Sequence, residues 1–236
     1  MPANPDALEI LWQDNSIIAV AKPAGLASIP GRGETDSVAG RMQMKIVHRL
    51  DKETSGVMLL ARDTAAQRHV SMQFQNNQVE KEYLALVAGR PAGESGVIEA
   101  PIGVHPAIKK RMAVLKHGRP ARTDWRIEGQ FGALTLLRCF PRTGKTHQIR
   151  VHLAHIGVPL AVDPLYNPRS APIFLSHYKR SYRRSAEPER PLLRRLSLHA
   201  HRLTFTDLSG QRITVECPPP KDFRATLSML SRHARA

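Results

Sequence analysis

The fold of this chain must accommodate one carboxylate at the start of a buried strand. Asp51 follows an apolar approach and precedes a Thr-Ser-Gly turn, which leads directly into the short apolar run at 57–61. A run of this length bounded by turn residues is typical of a buried strand. We therefore predict that Asp51 lies on a short loop at the edge of a sheet, where a reactive side chain can be held rigidly. An Asp before Thr-Ser-Gly can also serve as an ordinary turn or capping residue.

The rest of the chain favours a mostly antiparallel sheet. A hairpin pattern at 8–21 and several strands in 97–138 lack the alternation with helices that βαβ units require. Helices are expected with Thr64 as N-cap and over 147–156. Further elements are expected as a short helix capped by Asp36 or Ser37, strands near 82–87, 197–205 and 211–216, and a terminal helix over 223–229. The predicted class is α+β: a mixed, mostly antiparallel β-sheet core with flanking helices.

The length of 236 residues allows one substantial domain, or one divided into two lobes around a cleft. We predict that 1–236 forms a single domain divided into two lobes around a cleft. The hydrophobic fraction of 42% excludes a disordered chain. The Tyr- and Arg-rich segment 171–195 is predicted to be an exposed basic loop. It is either a surface that stacks on and neutralises a nucleic acid or a tolerated insertion.

The charge balance points to an anionic partner. The formal net charge is +15, from 35 Lys and Arg against 20 Asp and Glu. Nucleic acid is the first candidate, and an indifferent basic surface is the alternative. A membrane is disfavoured, since no long basic amphipathic helix and no apolar stretch of about 18 residues occurs. One basic cluster around an expected hairpin suits phosphate contacts, unless it is only a solvated face: Lys109, Lys110, Arg111, Lys116, Arg119 and Arg122.

Neither the cysteines nor the histidines are spaced like metal ligands. Cys139 and Cys217 lie far apart and outside any CxxC motif, which disfavours a disulfide framework and a Cys-based zinc site. The spacings of His147, His152 and His155 do not place all three on one helical face, and no carboxylate lies nearby. We predict no metal. The N-terminus lacks the basic and apolar regions of a signal peptide, so we expect a reduced, cytoplasmic location.

Segment 47–57 (VHRLDKETSGV) resembles the motif of the RluA branch of RNA pseudouridine synthases, in which His-Arg-Leu-Asp-x-x-Thr-Ser-Gly surrounds the catalytic Asp. Four other stretches agree with that family in the same order. They are 22–26 (KPAGL), 81–85 (KEYLA), 143–152 (TGKTHQIRVH) and 198–200 (LHA). The resemblance covers about residues 8–225.

The resemblance implies the pseudouridine synthase fold with a central catalytic cleft, and isomerisation of uridine to pseudouridine in structured RNA. In that reaction the N1–C1′ bond breaks, the uracil turns, and C5 bonds to C1′. Nothing is oxidised or hydrolysed, so no cofactor and no ATP is expected. The target nucleotide must be flipped out of its stack. The carboxylate attacks C1′ or removes a proton at C2′, and the sequence leaves both routes open.

The resemblance assigns catalytic roles to three residues. Asp51 is the carboxylate. Burial favours the neutral form of this carboxylate. A basic partner favours the charged form, and Arg150 matches the family's basic residue. Tyr83 would stack on the target uracil, and its hydroxyl could assist proton removal from C5. In the alternative interpretation, Asp51 is only a turn residue, Tyr83 a core residue and Arg150 a solvated helix residue. His48 and Arg49 are expected to support the Asp loop or to contact the RNA backbone. Lys145, where the family commonly has Arg, is expected to contact phosphate or backbone, and His147 is expected to bind RNA.

The expected partner is RNA, either 23S rRNA or tRNA or both, bound by a monomer that needs no obligate protein partner. Many relatives carry an N-terminal S4-type RNA-binding domain that this sequence does not show, so substrate choice is expected to come from the domain and its loops. One alternative function is a non-catalytic RNA-binding or RNA-remodelling protein with the same fold. Another is a glycosidase, which would need a second carboxylate such as Glu53 or Asp63.

Overall fold

The computed structural model describes residues 7–31, 36–183 and 186–234. Its elements in chain order are β1 (Ile10–Gln13), β2 (Ile17–Lys22), α1 (Val38–Met42), β3 (Lys45–Ile46), β4 (Ser55–Ala61), α2 (Thr64–Gln75), β5 (Glu80–Ala88), β6 (Ser95–Glu99), β7 (Ile102–Val104), β8 (Met112–Val114), β9 (Arg122–Phe131), β10 (Leu134–Pro141), α3 (Gln148–His155), a 3-10 turn (Leu175–His177), β11 (Leu198–Thr206), β12 (Arg212–Glu216) and α4 (Lys221–His233). Within these ranges, no helix has both the length and the apolarity needed to cross a membrane.

The chain forms two compact units. Unit 1 is drawn from Met1–Tyr83 and His199–Pro218, and unit 2 from Leu84–Leu198 and Pro219–Ala236. In unit 1 the strand order is β1-β2-β4-β11-β5, with β12 beside β11 and β3 beside β4. In unit 2 the order is β5-β10-β9-β6, and β7 and β8 form a small separate sheet. The pairs β1–β2, β2–β4, β3–β4, β11–β12, β9–β10, β6–β9 and β7–β8 are antiparallel, and β4 and β11 pair in parallel. The predicted α+β class, with a mixed and mostly antiparallel sheet, is confirmed.

Strand β4 is the centre of unit 1. All of its residues are buried, which confirms the buried strand expected at 57–61. Helix α2 packs on the same core through Ala66 and Val70. The expected N-cap, Thr64, is wrong by one residue. The Asp63 carboxylate accepts from the Ala66 N–H at 2.8 Å and caps the helix, because its backbone is extended at the position before the first helical residue. Ser37 caps α1, as expected.

In unit 2 the terminal helix α4 covers an apolar cluster. Phe223 and Leu230 of α4 are fully buried beside residues of β5 and β10, including Leu86 and Leu136. Helix α3 occupies most of the predicted range 147–156, and the glycine that follows it has a φ of +81°, as a helix C-terminus commonly requires.

A close backbone approach explains why the turn after Asp51 ends in glycine. Gly56 has a φ of +128° and pairs with Ala200 of β11 in the parallel register. A Cβ atom at this position would stand 2.1 Å from the Ala200 carbonyl oxygen and 2.6 Å from its nitrogen. Both obstructing atoms are backbone, so neither can rotate away. The junction of β4 and β11 therefore requires glycine at position 56.

We predict that Gly56→Ala lowers the free energy of unfolding by about 3 kcal/mol or more, because it adds both a backbone clash and a strained φ. Gly25→Ala is the matched control. Gly25 also has a positive φ, +86°, but its added Cβ would meet nothing within 4 Å, so its cost is about 1–2 kcal/mol. Urea unfolding of both variants measures the difference. Equal costs would show that the approach of Ala200 does not constrain this position.

Candidate active site

Asp51 lies on a loop whose backbone is anchored on both sides. Before it, the Ser28 hydroxyl donates to the Leu50 carbonyl at 2.8 Å and accepts from the Leu50 N–H at 3.0 Å. After it, the Lys52 carbonyl accepts from the Gly25 N–H at 2.9 Å. The anchoring groups belong to the segment that follows β2. The predicted rigid loop at a sheet edge is therefore built by two chain segments held against each other.

The Lys22 side chain lies at the centre of this anchorage. It is only 1% exposed, and its ammonium donates to the carbonyls of Pro23 (2.9 Å), Leu26 (2.7 Å) and Lys52 (2.9 Å). An ammonium has three N–H donors, so these three carbonyls match its full donor capacity. Hydrogen bonds from a charged donor are stronger than neutral ones. Lys22 therefore fixes the backbone of the residue that directly follows Asp51.

The turn after Asp51 is closed by buried polar groups. The Thr54 N–H donates to the Asp51 carbonyl at 3.1 Å. The Ser55 hydroxyl lies 3.0 Å from Nδ1 of His199, whose Nε2 lies 2.8 Å from the Cys217 carbonyl. A carbonyl only accepts, so Nε2 of His199 carries the proton and Nδ1 accepts from Ser55. This chain connects the turn to β11 and to the end of β12.

Tyr83 of β5 is electrostatically coupled to Asp51. Its half-buried ring packs against the unit 1 core. Burial, and then the negative charge of Asp51, hold the pKa of Tyr83 well above its usual value. Tyr83 therefore keeps its proton at neutral pH. Stacking on the uracil and assistance in removing the C5 proton both stay predictions for Tyr83.

His48 and Arg49, which precede the loop, have different surroundings. Nε2 of His48 accepts from the Leu59 N–H at 2.9 Å, and its ring stacks on Phe74 with centroids 4.2 Å apart. Burial, and then the charge of Lys81, lower the pKa of His48 to about 3. His48 thus holds β4 and α2 together as a neutral ring, which favours support of the loop over contact with RNA. Arg49 is exposed.

Arg150 of α3 is buried in unit 2 beside a carboxylate that the sequence analysis did not identify. Its guanidinium donates to both oxygens of Asp163, at 2.8 and 2.9 Å, and Asp163 is fully buried. The guanidinium also lies 4.9 Å from the centroid of the Tyr166 ring. The alternative of a solvated helix arginine is therefore wrong. The expected pairing of Arg150 with Asp51 stays a prediction.

Tyr166 joins three parts of unit 2. Its hydroxyl accepts from the Met112 N–H at 2.9 Å and lies 2.8 Å from Nδ1 of His147, to which its own proton can be donated. The Arg111 guanidinium lies 5.4 Å from its ring centroid. His147 precedes α3 with a φ of +55°. The tyrosine therefore connects the β7–β8 hairpin, the start of α3 and Arg150.

Gln148 shapes the loop that contains Lys145. Its side-chain oxygen accepts from the Thr143 hydroxyl (2.7 Å) and from the Lys145 N–H (3.0 Å).

In the same helix, His152 has one ring nitrogen 3.0 Å from the Ala100 carbonyl and the other 2.9 Å from a threonine hydroxyl. His152 therefore has a packing role.

The basic cluster lies around the β7–β8 hairpin. Lys109 and Lys110 are exposed. Arg122, by contrast, pairs with Asp124 and Glu99, each at 2.9 Å. These pairs hold the Arg122 guanidinium on the sheet surface, so it is a weaker candidate for phosphate contact than the two lysines.

Sequence reasoning missed the residues that position the site. Asp163 and Tyr166 lie outside the segments used for the resemblance, and Ser28 lies in a loop with no distinctive pattern. The signal that could have indicated Asp163 is its place in the apolar stretch 158–165, where an unpaired carboxylate is costly to bury.

Comparison with known proteins identifies a family and relatives that this chain resembles. Residues 16–155 match the family described as RNA pseudouridylate synthase. Over 240 residues the chain is 40% identical to ribosomal large subunit pseudouridine synthase D of Nitrosomonas europaea, covering 94% of this chain and 65% of that protein. The protein of the same name from Pseudomonas aeruginosa is 36% identical, with 97% and 73% covered. The chain thus spans about two thirds to three quarters of the length of these relatives.

Two solved structures share the fold. Human RNA Pseudouridylate Synthase Domain Containing 4 aligns with a TM-score of 0.72 and 26% identity, covering 94% of this chain and 93% of that one. Human RNA Pseudouridylate Synthase Domain Containing 1 aligns with a TM-score of 0.70 and 23% identity, covering 93% and 86%.

His48 should make stability depend on pH. A neutral buried His with a folded pKa of about 3 and an unfolded pKa near 6.5 binds its proton only after unfolding in the window between those values. Stability therefore falls with pH below about 6.5, by about 2 kcal/mol down to pH 5. His48→Gln, which retains an acceptor for Leu59, should be less stable at pH 7 but should show a flatter profile in urea unfolding. Parallel profiles would contradict a neutral buried His48.

Asp163→Asn should destabilise the protein by about 3 kcal/mol, because it leaves the buried Arg150 guanidinium without its compensating charge. Glu94→Gln is the matched control. Glu94 pairs with Arg90 at 2.7 Å, but both side chains are largely exposed, so its loss should cost less than about 1 kcal/mol. Urea unfolding at pH 7 compares the two. A small cost at Asp163 would mean that Arg150 finds another partner.

Proposed function

The chain belongs to the RNA pseudouridylate synthase family, and from this premise we propose that it isomerises uridine to pseudouridine in RNA with Asp51 as the catalytic carboxylate. The observation that carries the proposal is the anchored Asp51 loop: the residues on both sides of Asp51 are fixed by hydrogen bonds from Ser28, Gly25 and Lys22. Holding a reacting group in place supplies a large part of a catalytic rate, since small displacements reduce it strongly.

The reaction needs one carboxylate and involves no oxidation or reduction. The N1–C1′ bond breaks, the uracil turns within the pocket, and a C5–C1′ bond forms; C5 then loses its proton and N1 takes one up, so the product is an isomer of the substrate. Asp51 serves either as a nucleophile at C1′ or as a base at C2′. Both routes require a flipped-out nucleotide, and both require a carboxylate that cannot move away from the sugar.

Tyr83 is proposed as the wall on which the freed uracil stacks. Its coupling to Asp51 supports a position beside the reacting base, and its raised pKa keeps the hydroxyl protonated. A flat aromatic face retains the base while it turns, because stacking tolerates rotation of the base about the axis through the stack. The proposal thus gives Tyr83 a retaining role.

Arg150 is proposed as the catalytic cation. A guanidinium stays charged even when buried, and Asp163 holds this one in a bidentate pair. Contacts to the RNA backbone position the substrate without reading its sequence. They are assigned to the exposed cations Arg49, Lys109 and Lys110, and also to Arg111, Lys145 and His147.

The substrate is proposed to be large-subunit ribosomal RNA, because the similar proteins of Nitrosomonas europaea and Pseudomonas aeruginosa are named for the ribosomal large subunit. Transfer RNA is the second substrate class to be tested. Ribosomal and transfer RNA both occur in the cytoplasm, where we place this chain, and we propose that it acts as a monomer.

Asp51→Asn should lower tritium release from RNA labelled at uridine C5 by about 10³-fold or more, because the amide can neither attack nor accept a proton effectively. RNA affinity should change by less than about twofold, since the substitution removes no positive charge.

Glu53→Gln is the control for this test. It makes the same change of charge at an exposed carboxylate two residues away and should leave tritium release unchanged. Equal release by Asp51→Asn and the wild type would remove Asp51 from the mechanism. Absence of release from the wild type on both ribosomal and transfer RNA would favour a non-catalytic RNA-binding protein.

A further inference from the structure

Unit 2 contains a groove outside the proposed catalytic residues. Its volume is about 550 Å³, which is enough for a nucleobase. Its walls are mainly apolar side chains and backbone, including Leu134, Pro159 and Ala161, and its rim includes Arg169, His177 and Tyr178. Neither the family motifs nor the proposed mechanism assigns a role to this groove.

The rim is held in place by the basic segment 171–195, whose ends are fixed. The Ile173 N–H donates to the Leu193 carbonyl at 2.8 Å, and both side chains are buried. Arg195 forms two hydrogen bonds, of 2.7 and 2.8 Å, with Asp222 of α4. The prediction of an exposed loop holds for described residues such as Arg180 and Arg183, while Ile173 and Leu193 belong to the core. Residues 184–185 of this predicted loop lie outside the described residues. Because of these anchors, the groove has a defined rim.

Arg169 and His177 line the groove, and the carboxylate of Glu189, which accepts from the Ser176 N–H at 3.0 Å, lies near His177. Segment 171–195 contains seven Lys and Arg against two Glu. Within the described ranges, the exposed guanidinium of Arg169 forms no ion pair. His177 is also exposed at the rim. This charge complements an anionic ligand.

The walls provide stacking surfaces and few free hydrogen-bonding groups. Backbone groups along the groove are bonded to one another, as in the bonds from the Ala88 N–H to the Pro159 carbonyl and from the Gly89 N–H to the Ala133 carbonyl, both 2.8 Å. The rings of His177 and Tyr178 are tilted by 55° to each other, with centroids 6.3 Å apart, so they offer two differently oriented faces. A site with rings, apolar walls and an adjacent cation binds a nucleotide by stacking and phosphate contact without preference for one base.

We propose that this groove binds one unpaired nucleotide of an RNA strand, with the base against His177 and Tyr178 and the phosphate on Arg169. The inference rests on the proposed function for the choice of RNA over an acidic peptide, which the charge alone would also fit. It adds a second contact, through which segment 171–195 helps to select single-stranded regions near the modified uridine.

Fluorescence anisotropy with a fluorescein-labelled 12-nucleotide oligouridylate tests this site. Arg169→Ala should raise the Kd about 5- to 10-fold, and it should lower the slope of log Kd against log salt by about 0.7, as expected for one phosphate contact on a single strand. Arg68→Ala removes an exposed arginine from α2 and is the matched control; it should change the Kd by less than twofold.

A second pair of variants separates occupation of the groove from general charge. Ala171→Glu places a carboxylate in the groove lining, and Ala65→Glu places one on exposed α2. Only the first should weaken binding, by about 10-fold. Circular dichroism and urea unfolding verify that both variants fold. A 12-base-pair RNA duplex should be insensitive to Ala171→Glu, because a paired base cannot enter.

Photocrosslinking identifies the occupant directly. The oligouridylate with one 4-thiouridine, bound to the Asp51→Asn variant, should crosslink to His177 or Tyr178 in peptides located by mass spectrometry. Crosslinks found only elsewhere, equal effects of each variant and its control, or equally effective competition by a polyglutamate peptide would each overturn the proposal. Because these measurements read binding alone, failure of the isomerase proposal would show separately, as absent tritium release from the wild type.

Discussion

A buried ammonium fixes the geometry on which this account depends. Lys22 closes the end of β2 onto the residue after Asp51 by donating to three backbone carbonyls, one of them Lys52. Burying a charge is costly unless it is fully hydrogen-bonded, so the ammonium stabilises the folded loop only while all its acceptors stay in place. The loop, in turn, allows Asp51 little freedom. Segments 22–26 and 47–57 therefore act as one structural element.

Each unit contains a buried cation that is held by hydrogen bonds. In unit 1 the Lys22 ammonium donates to three backbone carbonyls, and these bonds fix the backbone around it. In unit 2 the Arg150 charge is paired with the carboxylate of Asp163 and lies against the Tyr166 ring. Both arrangements use groups whose removal would leave an unsatisfied partner. The positions of the proposed catalytic residues therefore depend on the same contacts that stabilise the fold.

The sequence predicted the α+β class, the buried strand at 57–61 and the helix near 147–156, because period and turn chemistry are local properties. It placed the cap of α2 at Thr64 instead of Asp63, because Asp and Thr both suit an N-cap and only the backbone shows which of two neighbours is extended. It did not predict that Asp163 pairs with Arg150, because that contact depends on how the chain after α3 returns in space. The need for glycine at position 56 was visible as a motif, but its cause is the approach of β11, about 140 residues later. His48 was expected to contact RNA or to support the Asp loop, and its hydrogen bond from the Leu59 N–H favours the second role.

The central claim is that a carboxylate held at one fixed position performs the chemistry, and Asp51→Glu tests it most directly. Glutamate keeps the charge and the functional group but moves the carboxylate outward by one methylene. Under single-turnover conditions with C5-tritiated ribosomal RNA, the account predicts a rate lowered by about 10²-fold with an unchanged Kd for the RNA. A rate within twofold of the wild type would contradict it, because a carboxylate that tolerates such a displacement does not depend on the anchorage described for this loop.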